Sequence, residues 1–172
     1  MKSSGPAYPG LNSPAPAGKN IIKRPLMLWL LVASLLFLSV GGLYGGIAML
    51  ADNTGRLLQL QEILKYLPVP DFTAPGIFLL VVMGLGPLFL VYGLLACPKW
   101  KLMEAISCWS GYQWGWTGTL VLGIVLAGWL TFQGVLIGFK WPIQFITAVN
   151  CLLIILLTLS PGVRKWNRLD SK

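Results

Sequence analysis

An all-α bundle of four transmembrane helices is what this sequence predicts, and three observations predict it. Four long apolar runs occupy 26–51, 76–97, 116–139 and 142–160. Each is close to or above the roughly 20 residues that a helix needs to cross a bilayer core. None holds an Asp, Glu, Lys, Arg or His in its interior. The composition agrees: the 172 residues are 56% hydrophobic and 10% charged, with mean hydropathy +0.74, against roughly 25% charged in a soluble domain.

The elements follow in order. Residues 1–24 repeat Pro, Gly, Ser and Ala with few large apolar side chains, so burial cannot offset ordering entropy and a disordered tail is expected. The first run, at about 26 residues, exceeds the 7–15 of a signal-peptide core and lacks a small-residue cleavage site, so it reads as a retained span. Gly41 with Gly45, and Gly42 with Gly46, set two overlapping G-x-x-x-G pairs in it, and Gly134 with Gly138 another in the third run; small residues of this kind form helix-packing faces.

Between the first two runs, Leu57, Leu60, Leu64 and Leu67 recur at helical spacing through Arg56-Leu-Leu-Gln-Leu-Gln-Glu-Ile-Leu-Lys-Tyr-Leu67. This predicts a short amphipathic helix over 56–67, lying on the surface or capping the bundle. Asp52-Asn53-Thr54-Gly55 supplies turn chemistry before it, and Pro68 to Gly76 ends it and launches the second run, with Pro75 suited to a first turn. In the second run Pro87 removes a backbone donor and clashes with the preceding turn, which predicts a kink. The third and fourth runs meet at Lys140-Trp141, so they must form an antiparallel pair. Residues 163–172 read as a basic tail.

The net charge of +8 resolves once it is laid on these spans. Lys2, Lys19, Lys23, Arg24, Lys99, Lys101, Arg164, Lys165, Arg168 and Lys172 fall on one side, and Arg56, Lys65 and Lys140 on the other. Basic residues in short loops stay cytoplasmic, so both termini are expected inside. The charge then reads as a topology signal and a contact with anionic headgroups, with no nucleic-acid role. Trp29, Trp100, Trp109, Trp114, Trp116 and Trp166 fall at the expected inner boundary and Trp141 at the outer, as in an aromatic belt. Trp129 stands apart, inside the third run.

Catalytic chemistry finds little material. The absence of histidine removes haem ligation, Ser-His or Cys-His nucleophiles and imidazole acid-base work. The five carboxylates, Asp52, Glu62, Asp71, Glu104 and Asp170, all lie outside the runs, so no intramembrane proton relay is visible. Cys97, Cys108 and Cys151 make no C-x-x-C pair and offer no metal-ligand spacing. We therefore expect no enzyme, cofactor or metal.

One uncharged constellation remains. Counting back from Lys140-Trp141 places Gln133 at about the depth of Thr147, with Gln144 nearer the surface and Asn150 deeper; Tyr44 in the first run reaches similar depth. Two readings stay open. These five side chains pin helices through interhelical hydrogen bonds, with Thr147 and Tyr44 as partners of Gln133, or they line an outward-opening polar pocket for a neutral ligand or lipid headgroup.

Gly45-Gly46-Ile47-Ala48-Met49-Leu50-Ala51-Asp52 with Gly55 and Leu58, and Asp71-Phe72 with Pro75-Gly76, resemble motifs of uncharacterised bacterial four-helix membrane proteins, in which G-G-x-x-x-L-x-D-x-x-G closes the first helix and D-F-x-x-P-G opens the second. Trp114-Gly115-Trp116, Trp129 and Gln133 are similar too. The resemblance implies a four-helix architecture in a bacterial inner membrane and no activity. The leading expectation is a non-catalytic structural, accessory or assembly component, with the bilayer and a membrane-protein partner or second copy as its contacts. The alternative is a small oligomeric transporter or channel-like unit for a neutral or lipid-like ligand.

Overall fold

The computed structural model describes residues 25–58, 61, 69–96, 111–139 and 141–168. Five helices are seen among them: α1 (Leu26–Ala51), α2 (Thr73–Ala96), α3 (Trp114–Ile137), α4 (Pro142–Leu159) and the short α5 (Pro161–Trp166). The first four are long and apolar enough to cross a membrane, and the chain is a multi-pass membrane protein. The second span opens at Thr73, three residues before the position expected, because Asp71 Oδ1 accepts the Thr73 N–H at 2.9 Å and starts the helix there. Val163 to Trp166, expected as part of the basic tail, belong to α5. The tail at 1–24, Cys97, Cys108 and two thirds of the surface helix expected over 56–67 lie outside the described residues. Arg56, Leu57 and Leu58 themselves form a turn.

Helices pack in a bilayer by close approach, since lipid tails are as apolar as leucine. The sequence provides this twice. On α1, Gly42 and Gly46 face α2 so closely that a Cβ on Gly42 would stand 2.4 Å from the Met83 carbonyl carbon, and one on Gly46 would stand 2.6 Å from the Leu80 N. Further along α2, a Cβ on Gly115 would stand 2.8 Å from the Gly93 carbonyl carbon, and the Trp114 ring lies over Gly93. This second contact has no counterpart among the expected packing pairs: its two glycines sit on different helices, and Gly111, four residues before Gly115, lies ahead of the helix start.

The other expected packing glycines do different work. Gly41 has nothing within 4 Å of its missing Cβ, and Gly45 meets only the Leu79 side chain. Gly134 receives the Phe139 ring rather than another span. Gly138 has φ 75° and ends α3, in a backbone region open essentially to glycine alone.

Just ahead of Pro87, where a kink is expected, α2 holds a π-helical stretch over Leu79–Leu85. The Gly86 N–H reaches back five residues to the Val81 carbonyl. Insertions of this kind disturb the regular carbonyl ladder. Ser39, buried on α1, donates its hydroxyl to the Gly84 carbonyl at 2.7 Å and ties the two helices where α2 is irregular.

Below this level the core is continuous: Leu28, Leu31, Leu35, Leu94, Leu126 and Ile154 are all almost fully buried. Trp114 and Trp116 belong to it as well. Both were expected at a headgroup belt, yet both are buried. Gly93 makes room for the first, and the second donates its Nε1–H to the Thr158 carbonyl on α4 at 2.8 Å.

The ends of the bundle differ in character. The start of α1, the end of α2, the start of α3 and the end of α4 share one end, where Gly162 lies against Pro25 and Arg164, Lys165 and Arg168 collect; we call it the basic end. At the other, the clasp end, the resemblance motifs acquire a physical role. Asp52 accepts from the Thr54 hydroxyl at 2.6 Å and the Leu57 N–H at 2.8 Å. Gly55 turns the chain at φ 75°. The Asn53 carbonyl accepts the Phe72 N–H at 3.0 Å, and the Asn53 amide reaches Asp71.

Hydrogen bonds from Thr54 and Leu57 hold the Asp52 carboxyl below its ordinary value, and bonds from Thr73 do the same for Asp71. A depressed carboxyl contributes stability above its unfolded pKa of about 4 and loses it as pH falls through the lower folded value. Hydrogen exchange at Thr54, Leu57 and Thr73 should therefore show protection unchanged from pH 7 to pH 5, after correction for intrinsic rates, and lost only below about pH 4. Loss of protection near neutrality would contradict the clasp.

A candidate ligand cavity between the spans

The two glycine contacts lie at different levels, and a cavity results. Toward the basic end, α2 and α3 touch backbone to backbone at Gly93 and Gly115. Toward the clasp end, α2 stays against α1 through Gly42 and Gly46, and the link to α3 is carried by side chains: the Phe78 and Trp129 rings meet at 4.6 Å. A cavity of about 570 Å³ lies in this half of the bundle, lined from all four spans. That is within the roughly 300–1,000 Å³ of small-molecule pockets.

All five polar residues singled out in the sequence line this one cavity. Their bonding differs from the pairing expected. Asn150, 6% exposed, donates its amide to the Ser34 carbonyl on α1 at 3.2 Å and joins α1 to α4. Gln144 is buried and folds back on its own helix start: the Trp141 N–H donates to its Oε1 at 3.1 Å. Thr147 donates to the Ile143 carbonyl at 2.8 Å, again within its helix. Tyr44 is 71% exposed. Gln133 is half-buried, and among the described residues neither it nor Tyr44 makes a side-chain hydrogen bond. The bonds expected from Gln133 to Thr147 and Tyr44 are thus not formed. The Thr147 hydroxyl is instead taken up by the Ile143 carbonyl one turn back, and Gln133 and Thr147 both border the cavity.

The rest of the wall is apolar. Leu38, Met83 and Leu126 come from the buried core, while Phe72 and Pro75 descend from the clasp. Phe37, Val40 and Tyr44 on α1 and Ile143 on α4 are exposed lining residues, so the cavity reaches the perimeter of the bundle. No acidic or basic side chain lines it among the described residues. Its chemistry is that of an apolar sleeve with a few uncharged polar groups, suited to holding a neutral molecule and unsuited to moving protons. The apolar lining was not legible in the sequence, because a leucine beside a cavity and a leucine in a core have the same neighbours in the chain. Trp129, misplaced for an interfacial tryptophan, was the one apolar signal.

Comparison with protein-family models, with curated proteins and with solved structures finds no match.

Proposed function

We propose that this membrane protein holds a neutral, lipid-like amphiphile between its spans and acts as a small non-catalytic binding or transporter-like unit. The observation that carries the proposal is the cavity itself. Its volume fits a small ligand, its wall is apolar, and Gln133 and Tyr44 offer polar groups without partners among the described residues. A purely structural role for the polar cluster would join these side chains across helices; among the described residues Asn150 does so, whereas Gln133, Tyr44 and Thr147 make no side-chain hydrogen bond to another helix. Buried polar groups gain by finding a partner, and a ligand hydroxyl or ester could provide one for Gln133.

The Gln133→Leu variant separates the two roles. It should leave thermal stability within about 2 kcal/mol, since interhelical polar contacts in membranes are modest. It should weaken retention of a neutral probe such as a monoacylglycerol at least fivefold, the effect of about 1 kcal/mol from one hydrogen bond. Unchanged retention would remove Gln133 from the site.

A bacterial inner membrane with both termini cytoplasmic is the setting we propose. The ten-to-three division of Lys and Arg supports that orientation, and the motif resemblance supports the compartment. A cysteine placed at Lys65 should label from outside intact cells and one at Lys101 should not; the reverse pattern would invert the topology. An accessory role within a larger complex is the second reading. It is favoured by Gly128, exposed on α3 with nothing within 4 Å of its missing Cβ, where a partner helix or a second copy could approach closely.

A further inference from the structure

The basic end holds a second concavity, unrelated to the one between the spans. It is a groove of about 400 Å³ bordered by Tyr112, Pro161, Arg164, Lys165 and Arg168. A loose basic tail would place these cations at random. Here they are built onto a frame.

The frame begins in the core. Trp116 is fixed by its bond to the Thr158 carbonyl, and Tyr112 stacks on it with ring centroids 4.2 Å apart. The backbone at Tyr112 bridges antiparallel to Arg168, and the Gln113 N–H donates to the Asn167 carbonyl at 2.9 Å. Asn167 is fully buried and donates its amide to the Val163 carbonyl at 2.9 Å, closing the turn between Arg164 and Arg168. The Tyr112 hydroxyl then accepts from Arg164 twice, from Nε at 3.2 Å and from Nη2 at 2.9 Å, and the guanidinium carbon lies 5.6 Å from the ring centroid. One edge of the guanidinium is thereby committed to the phenol and its plane is set. An arginine of fixed plane presents its other N–H donors as a fork, the geometry that matches phosphate oxygens.

Depth selects the ligand. α4 ends at Leu159 and Pro161 opens α5, so Arg164 lies about one turn beyond the fourth span. Tyr112 lies two residues before α3. A groove just beyond the ends of two spans falls where headgroups would lie, and basic pockets at that level bind anionic headgroups. We propose that Tyr112, Arg164, Lys165 and Arg168 form a specific site for the phosphate of an anionic phospholipid.

The full-length protein in mild detergent, titrated with short-chain phosphatidylglycerol and followed by native mass spectrometry, tests this. We expect saturable binding of one lipid, weakened about fivefold by Arg164→Gln and again by Arg168→Gln, the scale of one basic residue at an anionic surface. Both side chains are exposed, so the fold should survive; Lys165→Gln gives the same reading if either variant is unstable. Tyr112→Phe keeps every charge and the ring stack but frees the guanidinium, and it too should weaken binding. Arg56→Gln at the clasp end removes one charge and should change nothing. Equal loss from Arg56→Gln, wild-type binding by Tyr112→Phe, or no preference over short-chain phosphatidylcholine would overturn the site. Inorganic phosphate binding as tightly as the lipid would overturn the assignment to a lipid.

Discussion

Replacing Gly42 with leucine is expected to cost roughly 3 kcal/mol or more of stability, the upper range of overpacking. The reason is what the new side chain would meet. Its first carbon would fall 2.4 Å from the Met83 carbonyl carbon and 2.6 Å from the Gly84 N. Backbone cannot rotate aside as a side chain can, so α1 and α2 must separate. Separation would also break the bond from Ser39 to Gly84, which supports the π-helical stretch of α2. Thermal denaturation in detergent measures the loss. Stability within about 1 kcal/mol of wild type would mean that the two helices are not held by this contact.

Gly41, its immediate neighbour, should behave in the opposite way. It lines the cavity and has nothing within 4 Å of its missing Cβ. A Cβ there meets no backbone, and exchanging a helical glycine for another residue removes a propensity cost of up to about 1 kcal/mol. Gly41→Phe should therefore leave stability equal or slightly raised while it fills the space between the spans. Binding of a neutral monoacylglycerol probe should fall at least tenfold, as the ring occupies volume that the ligand needs. Two adjacent glycines with opposite outcomes would separate packing from ligand binding within one helix turn. Loss of stability in both variants would instead make the whole stripe a packing surface.

The spans were legible because their signal is long and redundant. A run of about twenty apolar residues without a charge suits little in a folded chain except a membrane crossing. The polar members of the cavity were legible for a related reason: an amide in an apolar run is conspicuous, and a tight turn fixes the depth of whatever lies beside it. What was hidden is how spans pair. A repeat on α1 such as Gly41, Gly42, Gly45 and Gly46 shows that some face is narrow, yet only the neighbouring helix decides that Gly42 and Gly46 face it and Gly41 does not. Gly93 shows no repeat, and the partner at repeat spacing from Gly115, Gly111, has nothing within 4 Å of its missing Cβ. Trp114 and Trp116 carry the same difficulty, since a tryptophan near a span end suits either a headgroup belt or a buried contact. The partner for Trp116 is the Thr158 carbonyl, 42 residues away. The frame around Arg164 was unreadable for the same reason. Three basic residues after a span look like any topology signal until Tyr112, 52 positions earlier, is seen to hold one of them.

The most direct measurement of the central claim is native mass spectrometry of the purified protein released from nanodiscs of its source membrane, wild type beside Gly41→Phe. If the cavity between the spans is a ligand site, the wild type should carry one copy of a neutral amphiphile that survives release, and Gly41→Phe should emerge without it while keeping its stability. A wild-type protein that carries no neutral amphiphile, or one carried equally by Gly41→Phe, would contradict the account.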